Sequence, residues 1–132
     1  MKGAIDNLRR IERLRKRLAD LSAWRLAKVT YERGKLASAH EEMLNALGEG
    51  LMAWGPPSAA GNRRVRALER ELTATGEIEK DLARRALDDG RLAKLAEGRL
   101  DVVSATWREM QERKSLEELI EATVKSSGPR KL

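Results

Sequence analysis

The side chains that could support catalysis or bind a metal ion are few in this chain and are not grouped. The sequence contains no cysteine and one histidine, His40, which is followed by Glu41 and Glu42. Neighbouring positions on a helix point in different directions, so these three side chains form no acid–base or metal cluster. We expect His40 to lie on a solvated helix surface. The prediction is a protein without enzyme activity, catalytic residues, a metal site or a cofactor.

Glycine-rich and uncharged segments add no further chemistry. Gly48-Glu49-Gly50 lacks the strand, spacing and lysine of a phosphate-binding loop. The longest uncharged run, residues 50–62, is too short to span a bilayer and contains Pro56 and Pro57. No apolar segment follows the first charged residues, so no signal peptide is evident. We therefore expect a soluble, cytoplasmic protein with no membrane insertion.

Composition favours long helices over a rounded core. Of the 132 residues, 36% are charged and 3% are aromatic. Abundant Ala, Leu, Glu, Lys and Arg with few aromatic residues is typical of long helices packed side by side. The sequence predicts one all-α domain.

Residues 65–110 carry the clearest pattern, an apolar stripe that repeats every seven residues among charged neighbours. Such a stripe needs a partner helix to cover it. Glu79 and Asp89 interrupt it and predict a weak seam. The first row of the repeat contains Val65, Leu72, Glu79, Ala86, Ala93, Leu100 and Trp107, and the second row contains Leu68, Thr75, Leu82, Asp89, Ala96, Val103 and Met110.

The N-terminal half contains a less regular apolar stripe. Its first part is formed by Ile11, Leu14, Leu18 and Leu21. Its second part, which begins at Val29, follows Leu18 by eleven residues. We expect this step to be a stutter, at which the helix continues but the stripe shifts its face.

Proline and glycine between these stripes predict a chain reversal. Pro56 and Pro57 cannot lie inside a helix, and Asn62 can cap the helix that follows. We expect a helix over about 4–54, a turn at 55–61, a second helix over about 62–125, and a disordered tail at 126–132.

A short turn between two long helices makes them antiparallel neighbours. Pairing residues whose numbers add to roughly 117 places Trp24 near Ala93 and Tyr31 near Ala86. Large side chains then face small ones, as close packing requires. The predicted fold is a long antiparallel two-helix coiled-coil hairpin with a projecting C-terminal helix, whose residues 116–124 have no partner in the hairpin.

Charge and apolar residues are distributed unequally between the two ends of this hairpin. Residues 1–17 contain seven basic and two acidic residues, a net charge of +5. The turn end has no Lys or Arg between residues 41 and 62. There the apolar residues either complete the seam or form a partner site, and both alternatives stay open. They are Met43, Leu44, Leu47, Leu51, Met52 and Trp54.

The segment Thr106-Trp107-Arg108-Glu109, continued by Gln111-Glu112-Arg113 and Leu116-Glu117-Glu118-Leu119, resembles the C-terminal helix of the FliJ/YscO family. These proteins are central stalks of the flagellar and type III secretion export ATPases. The resemblance covers nearly the whole chain, more through architecture than through residue identity.

The resemblance implies that the end carrying both termini inserts into a hexameric export ATPase. It also implies contact of the turn end with the membrane export gate, engagement of export chaperones, and a cytoplasmic location at the inner-membrane export apparatus. The implied ATPase contacts are Arg9, Arg10, Arg13, Arg15, Lys16, Arg17, Arg113 and Lys114. The implied contacts near the turn are Met43, Leu47, Leu51, Met52 and Trp54.

Two alternatives remain at this point. The basic N-terminal helix could bind nucleic acid through phosphate contacts. Against this, the basic cluster contains no aromatic residue to stack on bases, and no DNA-reading motif is present. The chain could also be a basic coiled-coil adaptor that dimerises through its exposed stripe.

Overall fold

The computed structural model describes residues 2–56 and 58–127, without the side chain of Trp54. Two helices, α1 (Lys2–Trp54) and α2 (Ala59–Ser126), account for nearly all of this part of the chain, and it contains no strand. They pack against each other as an all-α helical hairpin, which confirms the predicted fold class. Neither helix is long and apolar enough, within the described residues, to cross a bilayer. Of the predicted tail at 126–132, Ser126 belongs to α2, and residues 128–132 lie outside the described residues.

The reversal between the helices is shorter than predicted. Gly55 adopts a φ of 90°, and its N–H donates to the carbonyl of Leu51 at 3.1 Å, the hydrogen bond of a left-handed C-cap. Ser58 then caps α2, because its Oγ accepts a hydrogen bond from the N–H of Gly61 at 3.1 Å. The prediction that Asn62 is the cap is therefore wrong, and α2 begins three residues earlier than 62. Asn62 lies inside the first turn, and its N–H donates to the carbonyl of Ser58.

The hairpin divides into two compact units. The first, called the terminal unit, comprises Met1–Lys16 and Leu92–Leu132, and the second, called the turn unit, comprises Arg17–Arg91. Each unit contains part of α1 and part of α2. They are described separately below.

The heptad stripe predicted for α2 is confirmed from Val65 to Trp107. Both rows are buried or half-buried from Val65 to Trp107, and only the last position, Met110, is exposed. Ala93 and Ala96 are the most buried residues of α2. Because the repeat is unbroken, the face of α2 that packs on α1 is the face that the sequence pattern predicts.

The predicted face of α1 is wrong over its first half. The stripe of Ile11, Leu14, Leu18 and Leu21 is exposed, whereas Ile5 is buried. The residues that face α2 repeat every seven positions without a stutter. They are Ile5, Glu12, Ala19, Leu26, Arg33, His40 and Leu47 in one row, and Leu8, Arg15, Ser22, Val29, Leu36, Met43 and Gly50 in the other. All except Arg33 are buried or half-buried.

The reason lies in the phase of the repeat. Ile5 and Leu8, near the start of α1, share one heptad phase with the apolar residues from Leu26 to Leu47. The stripe at 11–21 is out of phase with both groups. A helix that faces an unbroken heptad stripe keeps one phase, so the polar residues Glu12, Arg15 and Ser22 occupy seam positions between the apolar ends.

The register of the hairpin also differs from the predicted one. Facing residues have numbers that add to 111 or 112, as in the contacts Ser22–Asp89 and Arg33–Glu79. The predicted sum of roughly 117 assumes a turn that is longer than the observed one. Trp24 and Tyr31 also lie outside the two seam rows of α1, so they do not pack on alanines but are 60% and 64% exposed. Each ring instead lies under a lysine one turn later, Lys28 at 5.4 Å and Lys35 at 4.7 Å from the ring centroid.

Candidate partner-binding surfaces

The first turns of α1, in the terminal unit, present several basic side chains to solvent. Arg9, Arg10 and Arg13 are all exposed. Arg9 lies 4.0 Å from the carboxylate of Asp6, and Arg13 Nε donates to the carbonyl of Arg9 at 3.5 Å. Exposed ion pairs of this kind contribute little stability, so these arginines remain accessible to an acidic partner.

Two of the predicted ATPase contacts also have structural roles within the hairpin. Arg15 is half-buried at a seam position. Lys16 Nζ lies 2.5 Å from Oε1 of Glu12, whose side chain is only 12% exposed in the seam. The hydrogen bond and charge of Glu12, with smaller contributions from Glu97 and Asp101, raise the pKa of Lys16 above its ordinary value. Lys16 therefore stays charged at neutral pH and compensates the seam carboxylate.

The last layer of the seam in the terminal unit is formed by Ile5 and Trp107. Trp107 is half-buried, and both side chains line an open groove of about 350 Å³. The rest of its wall is polar. It consists of Lys2, Asp6, Arg9, Ser104 and Arg108. The mixed charge and open mouth fit a surface groove better than a small-molecule pocket, which is normally concave and mostly apolar.

Beyond this layer α2 continues without a partner. Every residue from Glu109 to Ser126 is exposed, including Arg113 and Lys114, so the predicted projecting helix is present in the terminal unit. Three of the next four seam positions are charged, namely Lys114, Glu117 and Glu121, and the fourth is the exposed Val124. The other large apolar residues of this segment lie on a different face of α2. They are Leu116, Leu119 and Ile120, all exposed.

This change of face is a feature that the sequence analysis missed. Leu116 follows Trp107 by nine residues, which breaks the heptad phase of α2. Counting the repeat beyond Met110 would have revealed it. A longer α1 would therefore not cover the projecting apolar face, and that face is available for another contact.

The apolar residues near the turn divide between the two predicted alternatives. Met43 and Leu47 are half-buried seam residues. Leu47 packs closely on Gly61, since a Cβ atom added to Gly61 would lie 3.1 Å from Cδ2 of Leu47. Leu44 and Leu51 are exposed, and Met52 is 92% exposed. The side chain of Trp54 lies outside the described part of the structure. The apolar patch that is exposed near the turn is therefore smaller than the predicted one.

Polar residues in the seam of the turn unit find partners across the hairpin. Asp89 accepts a hydrogen bond from Ser22 Oγ, and Glu79 Oε1 lies 3.0 Å from Arg33 Nη1. The other oxygen of Glu79, Oε2, is buried without a hydrogen-bond partner. These contacts fix which layers face each other, because a shift of register would leave both carboxylates without partners.

The prediction of a solvated His40 is wrong. His40 is a half-buried seam residue, and its Nε2 lies 3.3 Å from Oε1 of Glu69. Histidine and carboxylates nowhere converge as a possible metal site in residues 2–56 and 58–127.

Comparison with known proteins gives no relative for this chain. No protein-family model matches it, and no curated protein or solved structure shows significant similarity.

Proposed function

We propose that this protein is a non-enzymatic central stalk of a flagellar or type III protein export apparatus. In this proposal the end of the hairpin that carries the termini inserts into a hexameric export ATPase. The turn end contacts the membrane export gate, export chaperones engage the hairpin, and the protein works in the cytoplasm beside the inner membrane.

The observation that carries the proposal is the unpaired extension of α2. A stalk needs a stiff segment that enters the central opening of a ring, and a single helix beyond a helical pair can do so. Residues 109–126 have this form and are exposed on all sides. A helical hairpin with a projecting C-terminal helix supports the proposal, because the FliJ/YscO resemblance is based on that architecture.

The exposed basic side chains of the terminal unit also support the proposal. Arg9, Arg10 and Arg13 project from α1, and Arg113 and Lys114 project from the extension of α2. A cluster of exposed basic side chains favours a partner with acidic loops and accelerates association with it. Arg15 and Lys16 contribute mainly to the seam.

The first test is a charge reversal on α1 measured with the purified export ATPase of the same organism. Replacing Arg9, Arg10 and Arg13 with Glu should remove most of the stimulation of ATP hydrolysis. Helicity should be retained, because Arg and Glu have similar helix propensities. Binding of the unchanged protein should weaken as salt increases, since exposed charges are screened over about 8–10 Å.

A matched control is available in the turn unit. Arg84, Arg85 and Arg91 are also exposed on a helix, and their reversal to Glu changes the net charge by the same amount. This control should stimulate the ATPase normally. Normal stimulation by the α1 variant would show that the basic end is not the ring contact.

The nucleic-acid alternative is tested with the same two variants. If the protein binds DNA or RNA and the α1 reversal removes that binding without affecting any ATPase, the alternative is correct. A protein that does neither and only self-associates would be a coiled-coil adaptor.

A further inference from the structure

The paired segment of the terminal unit, formed by residues 2–16 of α1 and 92–108 of α2, has two different sides. One side, called the polar side, is defined by side chains of both helices that line a single groove. They are Asp6 and Arg9 of α1 and Ser104 and Arg108 of α2. Glu97 and Asp101 precede Ser104 and Arg108 by one heptad each, so they lie on the same side.

The other side, called the apolar side, carries exposed aliphatic residues. Each helix packs on the other through its seam rows, so the flanks that do not form the polar side lie together on the opposite side of the paired segment. Five aliphatic side chains on these flanks are between 38% and 67% exposed. They are Ile11 and Leu14 of α1 and Leu92, Leu95 and Val102 of α2.

The carboxylates of the paired segment all lie away from the apolar side. Within residues 2–16 and 92–108, Glu12 is in the seam, and the other acidic residues, Asp6, Glu97 and Asp101, are on the polar side. Arg99 follows Leu92 by seven residues and is exposed on the apolar side. The same two ranges contain nine basic and four acidic residues, a net charge of +5. An apolar surface in this setting is complementary to an anionic partner.

The spread of the aliphatic side chains favours a flat partner. Ile11 and Leu92 lie directly beside the seam rows, whereas Leu14, Leu95 and Val102 lie further around their helices. A single helix docked above the seam would reach the inner pair and pass between the outer three. A flat surface contacts all five. A second copy of this chain is less favourable, because it would place one basic surface against another.

We propose that the apolar side of the terminal unit binds the surface of an anionic phospholipid bilayer. The five aliphatic side chains reach the boundary between headgroups and acyl chains, and Arg99 pairs with a lipid phosphate. This is a peripheral contact that leaves Arg9 and Arg13, on the polar side, facing away from the bilayer. The inference does not rest on the stalk function, and the lipid-bound protein is a state outside the ATPase ring.

The experiment is sedimentation of the full chain with vesicles that contain phosphatidylglycerol and phosphatidylcholine in equal amounts. Vesicles of phosphatidylcholine alone are the neutral comparison. The protein should bind the anionic vesicles roughly tenfold more tightly, because its basic side chains are attracted to them. This difference should shrink as salt increases and screens the charges.

Matched variants locate the contact. Leu14→Asp and Leu95→Asp should each weaken binding to anionic vesicles roughly tenfold, because a carboxylate replaces an apolar contact with the lipid. Leu87→Asp changes a similarly exposed leucine of the turn unit and should bind normally. Arg99→Glu should also weaken binding, and Arg108→Glu, the same change of charge on the polar side, should weaken it much less. Circular dichroism checks that the helices are retained.

A fluorescent label tests the orientation without weakening the apolar side by a charge. The chain has no native cysteine, so an environment-sensitive dye can be attached at one introduced cysteine. Val102→Cys and Asp101→Cys are neighbours on opposite sides of the paired segment. Anionic vesicles should shift the emission of the dye to shorter wavelength at position 102 and leave it nearly unchanged at position 101.

Three results would overturn the proposal. They are absence of binding to anionic vesicles, binding that Leu14→Asp and Leu95→Asp leave unchanged, and equal shifts of the dye at positions 101 and 102. A protein that ignores vesicles but forms dimers, and loses them on Leu14→Asp, would assign the apolar side to a second copy instead.

Discussion

At the scale of single residues, Trp107 closes the seam of the terminal unit. It is one of three tryptophans, and its indole is half-buried beside Ile5. The seam nearby contains only small or polar residues at several positions, among them Ala96, Glu12 and Arg15. A large side chain in such a seam supplies a disproportionate part of the buried apolar area.

We expect Trp107→Ala to lower the free energy of unfolding by about 2 kcal/mol, less than the roughly 3–5 kcal/mol of a fully buried aromatic residue. The measurement is denaturant unfolding followed by circular dichroism. Trp24→Ala is the matched control, because Trp24 is exposed and contributes only a surface contact with Lys28, worth roughly 0.5 kcal/mol. Equal effects of the two substitutions would contradict the seam position of Trp107.

At the scale of one helix, α1 carries two apolar stripes in different heptad phases. The stripe that faces α2 contains Leu26 and Val29, and the stripe that contains Leu18 and Leu21 is exposed. Local apolar content favours both stripes about equally. Only the partner helix distinguishes them, because its own unbroken repeat accepts a single phase.

Replacing a leucine with alanine should have different effects on stability in the two stripes. Leu26→Ala removes a half-buried side chain of the seam and should cost about 1–2 kcal/mol of stability. Leu21→Ala removes an exposed side chain of the same type and should change stability by less than about 0.5 kcal/mol. Thermal and denaturant unfolding of both variants measure the difference. A larger effect at Leu21 would favour the stutter and the originally predicted face.

At the scale of the whole molecule, the fold-back of one chain on itself is open to a direct test. Ser22 and Asp89 touch across the hairpin in the turn unit, and the chain has no native cysteine to interfere. Cysteines at these two positions should form a disulfide within one chain, since disulfides need Cα atoms about 4.4–6.8 Å apart.

The product is identified by mass and by mobility on a non-reducing gel at low protein concentration. Cysteines at Trp24 and Asp89 serve as the control, because Trp24 is on the exposed side of α1, and they should not crosslink within the chain. Crosslinks that form only between chains, for Ser22 with Asp89, would show that two copies rather than one hairpin form the seam.

Much of this architecture could be predicted from local sequence. Pro56 and Pro57 cannot lie in a helix interior, and the repeat from Val65 to Trp107 specifies a buried face without knowledge of its partner. The exposed extension after Met110 followed from the unequal helix lengths. The glutamate and aspartate at positions 79 and 89 were correctly placed in the seam, although their partners were unknown.

The face of α1, the register and the cap were decided by tertiary packing. Ile11 and Leu14 belong to a local stripe as good as that of Leu26 and Val29, and only the fixed phase of α2 selects between them. The register depends on a turn whose length changes when Ser58 rather than Asn62 caps α2, which a single hydrogen bond to Gly61 decides. Periodicity along one chain determines that a helix has a buried side. Contacts between residues distant in sequence, such as Arg33 with Glu79, determine which side it is and what lies opposite.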